Sequence, residues 1–470
     1  MSNAFIKGNE LERANKIIVA AKPKDPLTQG LFDALGARYK NITRQISHIE
    51  VNPDKPHCAQ SEIDLPLQNR LAFSNALFAL TQKFPKEATI QALFAYSIFG
   101  TENWEFYDTL VDTRPYTKMM ISACKHILKS NPNHIGAIHY YIHALEWSKD
   151  PKPALKYADK LASLAPLAEH LVHMPSHLYL RMGDYNKAVT QNLQAVESYK
   201  EYATICRKQG FQPEINFLNQ HNYDFLFVSA IYSGRADIAY QTAKNMRKET
   251  PLSWLNQGVY FQRFYALKFY AIAHFGGWEK LQPLEKSLEK YPYLKAMWAY
   301  DKALQALAFH HFQNYNIFFE QFNKAAEENN SFPHYKKAFA NNLAIAKEIL
   351  LANKARNLSH WQEAIFHWYK ATSLQKPAGD PPEWYFSTML GLGYTFLDAH
   401  QPEQAILTFE TSLESNPENG WALYGLAKAY TALNQPEKVN ELRDRFEKIW
   451  HSQAVGLPIK QGSDLFLSSP

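Results

Sequence analysis

The chain has 470 residues, of which 46% are hydrophobic and 20% charged, a globular composition that excludes a disordered chain. The net charge of +5 is small and spread along the sequence, so it leaves no basic footprint for nucleic acid. Three isolated cysteines, Cys58, Cys124 and Cys206, give neither a disulfide framework nor a Cys-x-x-Cys metal knuckle, and no apolar run approaches the ~20 residues that span a bilayer.

The N-terminal apolar run "IIVAA" is shorter than the roughly 7–15 residues of a signal-peptide core, so the cytoplasm is the default location. Residues 1–125 read as an irregular helical region. Within it, "LQNRLAFSNALFALTQKFP" (67–85) and "EATIQALFAYSIFG" (87–100) pattern as an antiparallel pair. Segments 53–66 and 101–117 read as loops or strained turns. From residue 126 a period appears. Pro132 and Pro166, Ala154 and Ala188, Gly391 and Gly425, and Pro402 and Pro436 are each 34 apart. Thirty-four residues is the tetratricopeptide length, a helix–turn–helix unit. The turn signature Gly–x–aromatic–x–x–Ala occurs in "RMGDYNKA" (181–188). Looser copies are "YSGRADIAYQTAKNM" (232–246) and "HFGGWEKLQPL" (274–284). Repeats carrying the histidines are expected over 126–325, further repeats over 326–450, and a poorly ordered tail over 451–470. The predicted fold is all-α, a solenoid of stacked antiparallel helix pairs.

Two short segments hold six of the 18 histidines: "HIGAIHYYIHALEWS" (134–148) and "EHLVHMPSH" (169–177). His139 and His143 recur 34 residues later as His173 and His177. His139, His143 and Glu146 share one helical stripe, and so do His170, His173 and His177. Neighbouring helix axes lie about 8–10 Å apart, so facing stripes can bring imidazoles onto one ion. Pro175 falls inside the second stripe, where it removes a backbone hydrogen bond and crowds the Leu171 carbonyl. A third repeat contributes His221 and Asp224. The expectation is a divalent transition-metal site: zinc, iron, manganese or copper. His139, His143, His173 and His177 are its core, and Glu146, His170, His221 and Asp224 are secondary ligands. His134 reads as a helix cap or outer partner. Up to eight candidates exceed one ion's needs, so either some sit behind the ligands or two ions bind.

These blocks, with "QHNYDFL" after them, resemble a bacterial tetratricopeptide-repeat family that carries H-x-x-IHA-x-E-x-S, HLVHMPSH and HN-x-HF segments in that order. "GLFDALGARY" (30–39), "DPPEWYFSTMLGLG" (380–393) and "NPENGWALYGLAKA" (416–429) extend the likeness over most of the chain. The resemblance implies the repeat fold and the histidine site but no settled reaction. The chain departs from it at Asp224 and Ala299, where the family pattern has histidine, and it begins late relative to the family. An export signal upstream therefore stays open.

Two functions follow from the sequence. One is a repeat protein with a metal site on its concave face, extending to a metal-dependent enzyme of undefined substrate. The other is a non-catalytic scaffold that holds a peptide or protein in the groove. No P-loop, GxGxxG or Ser–His–Asp order names another chemistry. Nucleic acid and membrane are not expected partners, and the sequence does not fix an oligomeric state.

Overall fold

Apolar residues recur every three to four positions along the chain, and a helix with such a stripe must lay it against another helix. The computed structural model describes residues 8–39, 65–102, 106–107, 113–211, 217–330, 337–375 and 381–450. Among these residues the structure is helical, with one isolated antiparallel bridge between Tyr107 and Thr113. Cys58, most of the loop expected at 53–66, part of that at 101–117, and the tail from 451 lie outside the described residues. No described helix is long and apolar enough to cross a membrane.

The chain divides into two compact units. The first comprises residues 1–178 and 197–218, the second 179–196 and 219–470. They do not coincide with the segments read from repeat content. In the first unit, α1 (Gly8–Ala20), α2 (Pro26–Tyr39), α3 (Leu67–Lys83), α4 (Ala88–Thr101), α5 (Pro115–Ser130), α6 (Ile135–Glu146) and α7 (Lys152–Leu164) pack each against the next. The α4 and α6 helices also touch, as first helices of successive hairpins do. The pair expected at 67–85 and 87–100 is α3–α4. Phe94, Ile98, Ile127, Ile138, Ile142 and Leu161 are buried in one core. The next first helix is split into α8 (Glu169–His173) and α9 (Pro175–Met182), and α10 (Tyr185–Lys208) follows; residues 179–196 of this stretch count with the second unit.

The second unit is formed by α11 (Phe217–Tyr232), α12 (Ala236–Glu249), α13 (Val259–Phe275), α14 (Pro292–Ala308), α15 (Phe312–Asn330), α16 (Lys337–Asn357), α17 (Trp361–Leu374), α18 (Thr388–Asp398), α19 (Pro402–Ser415), α20 (Gly420–Ala432) and α21 (Pro436–Ile449). First helices α14 and α16, and α18 and α20, lie side by side. Many hairpins turn through a residue with left-handed φ: Gly183 (78°), Gly234 (71°), Gly276 (67°), His310 (56°), Ser359 (57°), His400 (57°) and Asn434 (54°). At Gly183 the choice is forced twice, because a Cβ there would also strike the Pro417 carbonyl. After α13 the expected second helix is replaced by two short 3-10 turns, Trp278–Lys280 and Lys286–Leu288. Pro283, with no N–H to give, interrupts that stretch.

Candidate metal centre

Helix α6 begins at His134, whose Nδ1 accepts a hydrogen bond from the Ala137 N–H at 3.1 Å. The ring thus caps one of the helix's orphan donors, as expected. From this start α6 buries Ile138, Ile142 and Leu145 on one side and presents His139, His143 and Glu146 on another. Helix α8 stops at His173 because Pro175 has no N–H for the Leu171 carbonyl. Met174 N–H bonds His170 O at 3.1 Å, and His177 N–H bonds Met174 O at 3.3 Å across the break. His170 and His173 therefore stand on α8 and His177 on α9.

The five imidazoles close into a ring. Centroids are 4.9 Å apart for His139–His143, 5.4 Å for His143–His177, 4.8 Å for His177–His173, 6.2 Å for His173–His170 and 5.0 Å for His170–His139. Their Nε2 atoms approach closely: His139 to His170 at 3.0 Å, His139 to His143 at 3.1 Å, and His173 to His177 at 2.9 Å. His143, His173 and His177 are buried, while His139 and His170 are partly open to solvent. Phe99 packs edge-on against His143 with centroids 5.4 Å apart.

Glu146 sits behind this ring rather than in it. Its Oε1 lies 3.0 Å from His143 Nδ1 and its Oε2 lies 2.6 Å from His177 Nδ1. Burial would raise its pKa, but the two imidazoles outweigh burial and hold the carboxyl below its usual range. An ionised carboxylate only accepts, so the Nδ1 atoms facing it are the protonated ones. In this position the carboxylate can orient the two imidazoles from behind.

Three nitrogens converge here, and two arrangements can satisfy them: a second proton on His143, the ring backed by Glu146, whose Nε2–H then donates to His139, or a metal ion shared by the three. A proton on either of the other two rings is opposed: burial and the neighbouring imidazoles push His139 well below its ordinary pKa, and burial followed by His143 and His177 pushes His170 down to about 3. Nitrogens 3.0–3.1 Å apart, each about 2.0–2.1 Å from one ion, subtend roughly 90–100°, within ordinary coordination angles. The ligand atoms of His139, His143 and His170 all lie within 4.8 Å of one another, close enough to hold one ion.

The remaining two candidates stand on α11 in the second unit. His221 is buried, with its ring edge-on to Phe225 at 4.9 Å. Asp224 is fully buried and committed elsewhere. Its Oδ2 pairs with Arg263, and its Oδ1 accepts from the Tyr385 hydroxyl at 2.8 Å. A guanidinium already neutralises this carboxylate, so the reading of Asp224 as a ligand gives way to a buried ion pair. Tyr385 belongs to a segment whose place the sequence did not reveal. Tyr385 packs on Phe227 (5.0 Å) and Tyr270 (4.9 Å), and Trp384 packs on Tyr270 (5.1 Å) and Tyr300 (6.0 Å). Residues 384–385 therefore lie across the first helices α11, α13 and α14, the wall on which the scaffold reading places a peptide. The signal was present as the 41-residue spacing between the Ser359 and His400 turns, seven longer than the repeat. Elsewhere, His367 Nδ1 lies 2.6 Å from Glu348 Oε2, and Lys370 donates to the other oxygen at 2.7 Å.

Residues 396–442 match the tetratricopeptide-repeat family, spanning α19 and α20 and parts of their neighbours. No curated protein matches the chain. Among solved structures it is similar to yeast Tom70, at 13% identity and a TM-score of 0.31, over 91% of this chain and 70% of that one. It is likewise similar to the human IFIT1 dimer with m7Gppp-AAAA, at 10% identity and a TM-score of 0.32, over 96% and 94% of the two chains. The APC/C hetero-tetramer Cut9–Hcn1 matches at 13% identity and a TM-score of 0.25, over 97% and 98%. Likeness at this level carries no inference about ligands. The helix hairpins and the matched repeat make the fold a tetratricopeptide-like stack of antiparallel helix pairs.

Proposed function

We propose that the first unit is a helical-repeat scaffold for a divalent transition-metal ion, held by Nε2 of His139, His143 and His170. The observation that carries this reading is the approach of the His139 Nε2 to two other imidazole nitrogens at 3.0 and 3.1 Å, a convergence whose spacing fits one ion. Imidazole donors suit zinc, iron, manganese or copper. Three protein nitrogens leave positions for water or substrate, and an ion with open positions supplies Lewis-acid chemistry there. His139 and His170, on the partly open side, are the groups a substrate would meet first. His221 is kept as a further candidate ligand to be tested by substitution.

The test is elemental analysis of purified protein, and of chelator-stripped protein reloaded with each of the four metals. The expected result is at least one tightly held ion in the wild type, and a fall in metal content in His139→Ala. Wild-type protein that stays metal-free with all four metals refutes the reading and leaves the repeat scaffold without a metal role.

A further inference from the structure

The reading above uses three of the five imidazoles. The other two repeat the first pair. His139 and His143 are four residues apart on α6; His173 and His177 are four apart across the α8–α9 break, 34 residues on. Both pairs meet through Nε2, at 3.1 and 2.9 Å, with ring centroids 4.9 and 4.8 Å apart. Both pairs are also oriented from behind. Glu146 takes one Nδ1 from each, on His143 and His177. Ser176 Oγ lies 3.2 Å from the Nδ1 of His173.

From this duplication we infer that the ring holds a second divalent metal ion, bound by Nε2 of His173 and His177 and coupled to the first through Glu146. The inference rests on the metal reading of His139, His143 and His170 and extends it. An imidazole nitrogen has one lone pair and serves one ion. The His143 Nε2 is directed at His139 and the His177 Nε2 at His173, so the two rings that share Glu146 face different partners. Nitrogens 2.9 Å apart with bonds of about 2.0–2.1 Å give an angle near 90°, so the second pair fits an ion as well as the first. Both members are buried, so the second ion would sit deeper than the first. Two ions joined by a shared carboxylate and its imidazoles are an arrangement that can clamp one oxygen-bearing substrate.

The experiment is equilibrium dialysis of the full chain against buffered zinc, with bound zinc counted by elemental analysis. Four proteins are compared: wild type, His139→Gln, His173→Gln and the exposed-site control His311→Ala. Glutamine keeps a polar side chain in place, and circular dichroism checks that each variant is folded. The same proteins loaded with manganese(II) are read by electron paramagnetic resonance, where neighbouring ions give a coupled spectrum. The expected counts are two zinc ions in the wild type and the control, and one in each glutamine variant, with coupling lost in both. One zinc in the wild type, unchanged in His173→Gln, overturns the second ion and leaves the first. No zinc in the wild type overturns the metal reading itself.

Discussion

At the scale of single residues, Glu146 shows what spacing reveals and what it hides. The stripe of His139, His143 and Glu146 was legible from the sequence, as was the 34-residue echo at His173 and His177. Whether a carboxylate binds an ion or stands behind its ligands depends on which ring nitrogen faces it, and spacing does not encode that. The prediction is that Glu146→Gln leaves the fold intact and weakens metal binding about 10–100-fold, as loss of an outer carboxylate does. Competition with a chromogenic chelator measures it; unchanged affinity would place Glu146 outside the site. The partners of Asp224 were hidden for a related reason, since Tyr385 lies 161 residues away.

A second residue-scale prediction concerns His274. Its Nε2 has no partner among the described residues, and its ring packs on Trp421 (4.5 Å) and Phe386 (4.9 Å). Burial pushes its pKa down to about 3, against about 6.5 when unfolded. Between those values the unfolded chain binds more protons, so this residue's contribution to stability falls as pH drops from about 6.5 towards 3. Replacing His274 with Phe should change stability little at pH 7. At pH 5 it should make the variant more resistant to urea than the wild type, by about 2 kcal/mol. Parallel wild-type and variant curves at both pH values would contradict this.

At the scale of elements, Pro175 divides what would otherwise be one first helix. Pro175→Ala removes the block, and α8 and α9 should join into a continuous helix. The expected outcome separates two properties: a melting temperature no lower than wild type, with metal affinity reduced at least tenfold because His170 and His173 turn relative to His177. A variant that both melts and binds like the wild type would show that the break has no bearing on the site. The close approach of hairpins in the second unit has its own test. Any Cβ at Gly391 would strike the Trp368 ring, and one at Gly425 the Phe409 ring. Gly391→Ala and Gly425→Ala should each cost about 1–3 kcal/mol as overpacking, measurable by denaturant unfolding. These two glycines are 34 apart and were visible as repeat landmarks; the rings they admit were not.

At the scale of the whole molecule, the period of Pro, Gly and Ala landmarks was enough to predict helix hairpins, because each hairpin's stripe is only buried by the next. It also anticipated that the histidines gather, since equal positions in successive repeats place side chains side by side. Two departures escaped it. The 3-10 turns after α13 take the place of the helix expected after the Gly276–Gly277–Trp278 turn. Residues 384–385 pack as large buried aromatics against α11, α13 and α14, contacts that a repeat period does not encode. The central claim is that the convergent nitrogens hold a metal ion. Its most direct test is anomalous diffraction at the zinc edge from crystals of the zinc-loaded full chain. The account predicts a peak about 2.0–2.1 Å from Nε2 of His139, His143 and His170; zinc peaks confined to surface histidines, with none among these three nitrogens, would contradict it.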